Sequence, residues 1–202
     1  MGKYDIVIVG GGLAGILSAV AIKLGNPGLS LIVVEHAAEF GGNHRWSWFD
    51  SDIPTEGHAL LANLNKHHWP RHEVRFPRRV RVLETGYNST TSNDLDLWAR
   101  RSLSEFERLT GAQVVSVTDS TATLADGRVL AAQRVIDARG PDKEPMPGAR
   151  WQKFAGFELE VPGHGLAHPV LMDACVEQVD GYRFMYTLPL GQMSVTGINI
   201  NL

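Results

Sequence analysis

The apolar positions of this chain change period several times, and each change marks an element. After Asp5, residues 6–9 (Ile6-Val7-Ile8-Val9) are apolar and β-branched without a break. Such a run suits a parallel strand buried on both faces. Gly10-Gly11-Gly12-Leu13-Ala14-Gly15 follows directly, and Leu13, Ile16, Leu17, Val20, Ala21 and Leu24 then recur on one helical face. Gly25, Asn26 and Pro27 end that helix. Ser30-Leu31-Ile32-Val33-Val34 predicts a second buried strand, closed by the acid Glu35.

The middle of the chain predicts a helix and a β-meander. Asn93-Asp94 supplies the N-cap, with Asp94 and Asp96 near the positive end of the helix dipole. Leu95, Ala99, Leu103, Phe106 and Leu109 form its apolar stripe, and Gly111 stops it. Residues 114–118, 121–124 and 129–130 read as short strands, the last two joined by the turn Asp126-Gly127. Residues 134–140 read as a further buried strand ending in Gly140. Pro141, Pro145, Pro147 and Gly148 cluster at a domain boundary. Beyond it, residues 154–161, 170–172 and 182–188 are extended. The expected fold class is α/β: a Rossmann-like dinucleotide-binding domain over residues 1–144, then over 145–202 the start of an antiparallel β substrate domain.

The glycines point to chemistry. Gly10 permits a tight turn out of the strand, Gly12 lets a pyrophosphate approach the backbone, and Gly15 lets the helix pack close. The free amides of the first helical turn, at Leu13, Ala14 and Gly15, face the phosphate charge. Glu35 stands twenty residues past Gly15, where a carboxylate accepts ribose hydroxyls. That acid suits the adenosine ribose of FAD or NAD and disfavours a 2′-phosphate. Glu39-Phe40-Gly41-Gly42 resembles the segment after the acid in flavoproteins of the two-dinucleotide-binding type, which implies FAD. Domains of that class often return to the parallel sheet with a strand whose terminal glycine, here Gly140, lies beside the cofactor.

Composition sets limits. The 202 residues have room for one full domain and part of another. A net charge of −3 gives no electrostatic reason for a nucleic-acid partner. Cys175 is the sole cysteine, so no intramolecular disulfide forms, and it reads as a small buried hydrophobe. No signal-peptide pattern is present, and the apolar run at residues 4–9 is too short to span a bilayer. A cytoplasmic setting is expected. His67 and His68 have no second cluster at metal-ligand spacing, so no metal is expected. Ser47 has no evident His/Asp partner for triad chemistry.

Several local motifs carry a family resemblance. Gly41-Gly42-Asn43-His44-Arg45-Trp46-Ser47-Trp48 closely resembles the Gly-Gly-Asn-His-Thr-Trp-Ser-Phe segment of bacterial lycopene beta-cyclases. His68-Trp69-Pro70, Val74-Arg75-Phe76-Pro77 and Gly86-Tyr87 match the same family in order. So do Val135-Ile136-Asp137-Ala138-Arg139-Gly140, His164-Gly165-Leu166 and Met172-Asp173-Ala174. Gln178, Asp180-Gly181-Tyr182-Arg183-Phe184, Tyr186 and Leu188-Pro189-Leu190 complete the series. The likeness covers about residues 4 to 190.

The resemblance implies an enzyme of carotenoid biosynthesis that cyclises the ends of lycopene to β-ionone rings. The reaction is an intramolecular, non-redox one, initiated by acid and assisted by reduced FAD, with NAD(P)H as reductant. It also implies a lipophilic polyene substrate and a peripheral site on the inner face of the membrane. Gly42 and His44 are then expected at the flavin. Trp46, Trp48, Phe49 and Trp69 would offer π-faces to a cation, although for each one core packing is the simpler reading. Arg45 departs from the family's threonine, so a direct role there is not expected. Asp173, Glu177 and Asp180 lie in the last motif, and a structural hydrogen bond is the simpler role for each. The family continues after Leu-Pro-Leu with an acidic Glu-Asp-Thr segment, its best candidate for the catalytic acid, and runs to almost twice this length. Residues 191–202 hold no Glu or Asp, so the resemblance implies a truncated N-terminal half, marginally stable alone, with no catalytic residue assigned. Two other readings stay open: a redox flavoenzyme such as a hydroxylase or desaturase, and a non-catalytic nucleotide-binding remnant.

Overall fold

The computed structural model describes residues 4–140, 153–179, 181–190 and 194–201. In chain order the first elements are β1 (Tyr4–Val9), α1 (Leu13–Gly25), β2 (Leu31–Val34), β3 (Arg45–Phe49) and α2 (Thr55–Leu60). Next come β4 (His67–Trp69), β5 (His72–Phe76), β6 (Arg79–Leu83), β7 (Tyr87–Thr91) and α3 (Ser92–Ser102). The chain continues through β8 (Arg108–Leu109), β9 (Val114–Val117), β10 (Thr121–Leu124) and β11 (Val129–Asp137). The last four are β12 (Lys153–Glu160), β13 (Val170–Asp173), β14 (Arg183–Pro189) and β15 (Ser194–Asn201).

Two compact units form. The first holds residues 1–46, 53–66 and 90–143, and the second holds 47–52, 67–89 and 144–202. A cut at residue 144 would assign 47–52 and 67–89 to the first. Pairing explains the difference, because β5 adds to β13 in the second unit's sheet, nearly a hundred residues downstream. The expected boundary at 141–147 lies outside the described residues.

The first unit is Rossmann-like. Its sheet runs β8-β2-β1-β11-β10-β9. β1 is central and pairs in parallel with β2 (Val7↔Ile32) and with β11 (Val7↔Val135). Val7, Ile8 and Val33 are fully buried, and all of β2 is buried. Each such side chain removed from water contributes about 1.5–3 kcal/mol. This accounts for the unbroken apolar runs, since strands covered on both faces have no polar side.

Three sequence expectations are corrected here. Helix α1 buries Gly15, Ile16, Ala19 and Val20, while Leu24 is 64% exposed. The small residues Gly15 and Ala19 turn toward the sheet because Gly15 lies against the Gly10 carbonyl, and this rotates Leu24 outward. Helix α3 begins one residue before Asn93: Thr91 is the N-cap, and its Oγ1 accepts the Asp94 N–H at 3.1 Å. It ends at Ser102, short of Gly111. A capping box at Ser104 and Glu107 opens a separate 3₁₀ turn, leaving Phe106 88% exposed and Leu109 in β8. Residues 129–130 and 134–137 belong to one strand, β11. Its start pairs antiparallel with β10, and from Ala132 onward it pairs in parallel with β1.

The second unit carries a sheet in the order β12-β15-β14-β13-β5-β6. All pairs are antiparallel except β13 with β5. Trp69, Tyr87 and Leu188 form its small buried cluster, with Phe49 and Tyr186 packed on it, so Trp69 is a core residue. Cys175 is exposed, not buried: it sits in the turn after β13, where its N–H donates to Asp173 Oδ1 at 3.0 Å. Among the described residues no helix is long and apolar enough to cross a membrane.

Candidate functional site

The site forms where β1 ends. Gly10 leaves the strand at φ +104°, and a Cβ there would meet the Ala138 backbone at 2.7 Å, so only glycine fits both torsion and space. A Cβ on Gly11 would overlap the buried ring of Phe40. A Cβ on Gly15 would overlap the carbonyl oxygen of Gly10. Gly12 differs from all three, for a Cβ there would meet nothing within 4 Å.

Gly12 is the N-cap of α1, and it supplies no side-chain cap. The helical ladder starts with Ile16 N–H donating to the Gly12 carbonyl at 3.0 Å. The N–H groups of Leu13, Ala14 and Gly15 precede that ladder. No acid occupies the first turn, so the positive end of the helix dipole is not neutralised from within. Open space at Gly12 next to free amides is the arrangement that receives an anion such as a pyrophosphate.

Glu35 directly follows β2 and is 8% exposed. Its Oε2 accepts the Gly11 N–H at 2.7 Å. Its Oε1 accepts the Ala37 N–H at 2.9 Å and lies 2.6 Å from His36 Nδ1. The carboxylate is therefore fixed in the glycine turn, with an acceptor position on Oε2 left over.

These groups border a cleft of about 470 Å³ within the first unit, a volume ordinary for small-molecule sites. Of the nine residues expected at the cofactor, Gly10, Gly12, Glu35, Gly42 and His44 line it. Leu13, Ala14, Gly15 and Gly140 are not in its lining. The first three approach it through the helix end, and Gly140, at φ +83°, follows the lining residues Ala138 and Arg139. The cleft also takes in His36, Gly41 and Ala112-Gln113-Val114, which sequence reasoning missed. Gly41 had a signal in its Gly-Gly context; Ala112 to Val114 reach the cleft only through tertiary pairing. Arg139 hydrogen-bonds Asp137, with Nε 2.8 Å from Oδ1, and this bond holds the Asp137 carboxyl below the ordinary carboxylate range.

His44, in the lining, stacks obliquely on Trp46, with ring centroids 5.6 Å apart. The other candidates are not in the lining. In the second unit, His68 Nε2 lies 3.1 Å from Asp50 Oδ2, and Asn88 donates to Asp50 Oδ1 at 2.7 Å. Ser47 donates to Ser89 and accepts from Tyr186, so its partners are hydroxyls. Asp173 receives Arg75 and the Cys175 N–H, a structural arrangement. Glu177 is exposed, and Asp180 lies outside the described residues. No metal-ligating cluster occurs among the described residues.

Known proteins bear directly on this geometry. In fold, the chain is similar to a probable FAD-dependent monooxygenase of Pseudomonas aeruginosa (TM-score 0.74, 18% identity, 99% of this chain, 61% of that one). It is also similar to a flavin-dependent halogenase of Xanthomonas campestris (TM-score 0.71, 15% identity, 98% and 56%). In sequence, it is 37% identical over 188 residues to the lycopene beta-cyclase of Pantoea ananas (93% of this chain, 49% of that protein). It is 42% identical over 188 residues to that of Pseudescherichia vulneris (92% and 48%). The chain thus spans about half the length of the curated relatives it matches. The family model described as lycopene cyclase protein matches residues 5–196, and the chain belongs to that family.

Proposed function

We propose that this chain is the FAD-binding portion of a lycopene beta-cyclase, an enzyme that closes the ends of lycopene into β-ionone rings. The observation that carries the reading is the uncapped start of α1 beside the open space at Gly12, in a chain of the lycopene cyclase family. The amides of Leu13, Ala14 and Gly15 receive the pyrophosphate of FAD. Gly10 and Gly15 bring the helix close enough for that contact. Glu35 Oε2, held by Gly11, accepts a hydroxyl of the adenosine ribose. Gly42 and His44 line the same cleft, and Gly140 follows its lining residues Ala138 and Arg139.

The bound cofactor, kept reduced by NAD(P)H, supplies an electron-rich ring that lowers the energy of a nearby carbocation. The protein's task is to exclude water, which would trap that cation. The net reaction is an intramolecular isomerisation with no redox change in the substrate. No residue of this chain is assigned as the acid. Lycopene is a hydrocarbon, so its source is a bilayer, and the protein works peripherally on the inner, cytoplasmic face of the membrane.

Two measurements test the reading. The purified chain is expected to bind FAD with a visible flavin spectrum, and cells that accumulate lycopene are expected to form a cyclic carotene when they make a full-length lycopene beta-cyclase whose matching half is replaced by this chain. Lycopene left unchanged by that flavin-loaded chimera would overturn the cyclase reading. Substrate-dependent oxygen uptake or NAD(P)H oxidation would favour a redox flavoenzyme. Failure to bind FAD, with no turnover, would favour a non-catalytic remnant that at most binds nucleotide.

A further inference from the structure

Strand β6 is an edge strand of the second unit's sheet, and its hairpin with β5 has an unusual composition. Residues 76–82 read Phe-Pro-Arg-Arg-Val-Arg-Val: three cations and no carboxylate, in a chain of net charge −3. All seven are exposed. Among them, Phe76 is 41%, Val80 59% and Val82 44% exposed. The register sets Phe76 opposite Arg79 and Arg75 opposite Val80. Phe76, Arg79 and Arg81 therefore share one face of the hairpin, and Val80 and Val82 share the other.

The charges at the hairpin base are already engaged. Arg71 pairs with Glu84 at 3.6 Å, and Arg75 pairs with Glu73 and Asp173. Arg78, Arg79 and Arg81 pair with no carboxylate among the described residues. Edge strands often carry charge to block the addition of another strand. That accounts for Arg79 and Arg81, but it leaves three large apolar side chains in water beside them. A surface that is anionic at its rim and apolar a few ångströms deeper satisfies both sets. Guanidinium groups bind phosphate oxygens in forked pairs. Entering turn-first, the hairpin brings the arginine stems and Phe76 on one face and Val80 on the other to the acyl boundary.

We infer that the β5–β6 hairpin is the surface by which this chain docks on an anionic phospholipid bilayer. The inference names the contact surface for the bilayer partner proposed above, and its evidence is the hairpin itself.

The test is sedimentation of the full chain with unilamellar vesicles of phosphatidylcholine, with and without phosphatidylglycerol. The chain is expected to bind the anionic vesicles at low salt, to prefer them to neutral ones, and to be released as salt rises. The triple variant Arg78→Gln, Arg79→Gln, Arg81→Gln is expected to bind about a hundredfold more weakly, from roughly fivefold per arginine. The variant Val80→Ser, Val82→Ser weakens binding with no change in charge, and it carries the test if the triple variant does not fold by circular dichroism. The same charge removed elsewhere, as Arg101→Gln, Arg128→Gln, Arg134→Gln, is expected to leave binding unchanged. Equal losses in the two triple variants overturn the assignment, because net charge alone would then explain binding. Absence of wild-type binding to anionic vesicles at low salt overturns it outright. So does a dimer seen by light scattering that the valine variant abolishes, which would make β6 a self-association edge. No readout involves flavin or lycopene, so a failed cyclase assay leaves this result separately legible.

Discussion

The carboxylate of Asp96 on α3 accepts the backbone N–H of Phe40 at 2.8 Å, joining positions 56 residues apart inside the core. The same carboxylate receives Arg100 Nε at 2.6 Å, and Arg100 Nη2 reaches the Ala38 carbonyl at 3.0 Å. The Arg100 guanidinium also lies 5.8 Å over the Phe40 ring. Asp96 therefore fixes the loop that follows Glu35, and Phe40 in turn packs on Gly11.

Replacing Asp96 by alanine leaves the buried Phe40 amide without an acceptor and Arg100 without its carboxylate. Asp96→Ala is expected to lower stability by about 2 kcal/mol, the usual cost of an orphaned buried donor. A shift of the urea midpoint at constant slope measures it. An unchanged midpoint would mean that the loop is held by other contacts.

Gly12 and Gly15 separate folding from binding. Gly15→Ala forces a Cβ into the Gly10 carbonyl and is expected to destabilise the first unit by about 3 kcal/mol or more, with or without ligand. Gly12→Ala meets open space and is expected to leave the apoprotein within about 1 kcal/mol of wild type. On the proposed reading its methyl group would stand where the pyrophosphate lies, so FAD affinity is expected to fall by about tenfold or more by flavin fluorescence. Equal FAD affinity in Gly12→Ala and wild type would remove the phosphate from this turn.

Local pattern was enough to read the strand, the glycine turn and the terminal acid, because all of them lie within 35 residues and each follows from its own period or torsion. It was not enough for α3. Thr91 and Ser104 both cap, and the continuous apolar stripe hid the break that the Ser104–Glu107 capping box makes. Long-range pairing was invisible in the sequence. The edge of the cleft at Ala112 to Val114 depends on the meander folding back, and β5 joins β13 only through a parallel pairing that no local motif announces. The acidic cluster of the last motif was legible as structural for Asp173, whose neighbours Arg75 and Cys175 were not.

Glu35→Gln tests the ribose contact without disturbing shape. The amide keeps one acceptor oxygen for the two backbone donors, Gly11 and Ala37 N–H, that the carboxylate satisfies, so folding is expected to weaken by about 1–3 kcal/mol. A hydrogen bond to a charged acceptor is worth more than one to a neutral acceptor. FAD affinity is therefore expected to drop about tenfold, with no matching drop for FMN, which lacks the adenosine ribose. Parallel losses for both flavins, measured by fluorescence titration, would place Glu35 away from the adenosine end.

Acid stability follows from Glu73 on β5. The Arg75 hydrogen bond, with a lesser contribution from His168 at 3.2 Å, holds the Glu73 carboxyl below the ordinary carboxylate range against the opposing effect of burial. A carboxylate depressed in the folded state stabilises folding at pH above its unfolded value. That gain fades as pH falls below the unfolded value and is gone below the folded one, where both states are protonated. Wild type is thus expected to lose stability more steeply than Glu73→Gln between roughly pH 5 and pH 3. The two curves should close by about 1 kcal/mol across that window. The glutamine variant starts lower at neutral pH because Arg75 keeps only Asp173 as a carboxylate partner. Urea midpoints at several pH values measure the closing, and parallel curves would show that this ion pair sets none of the acid limb.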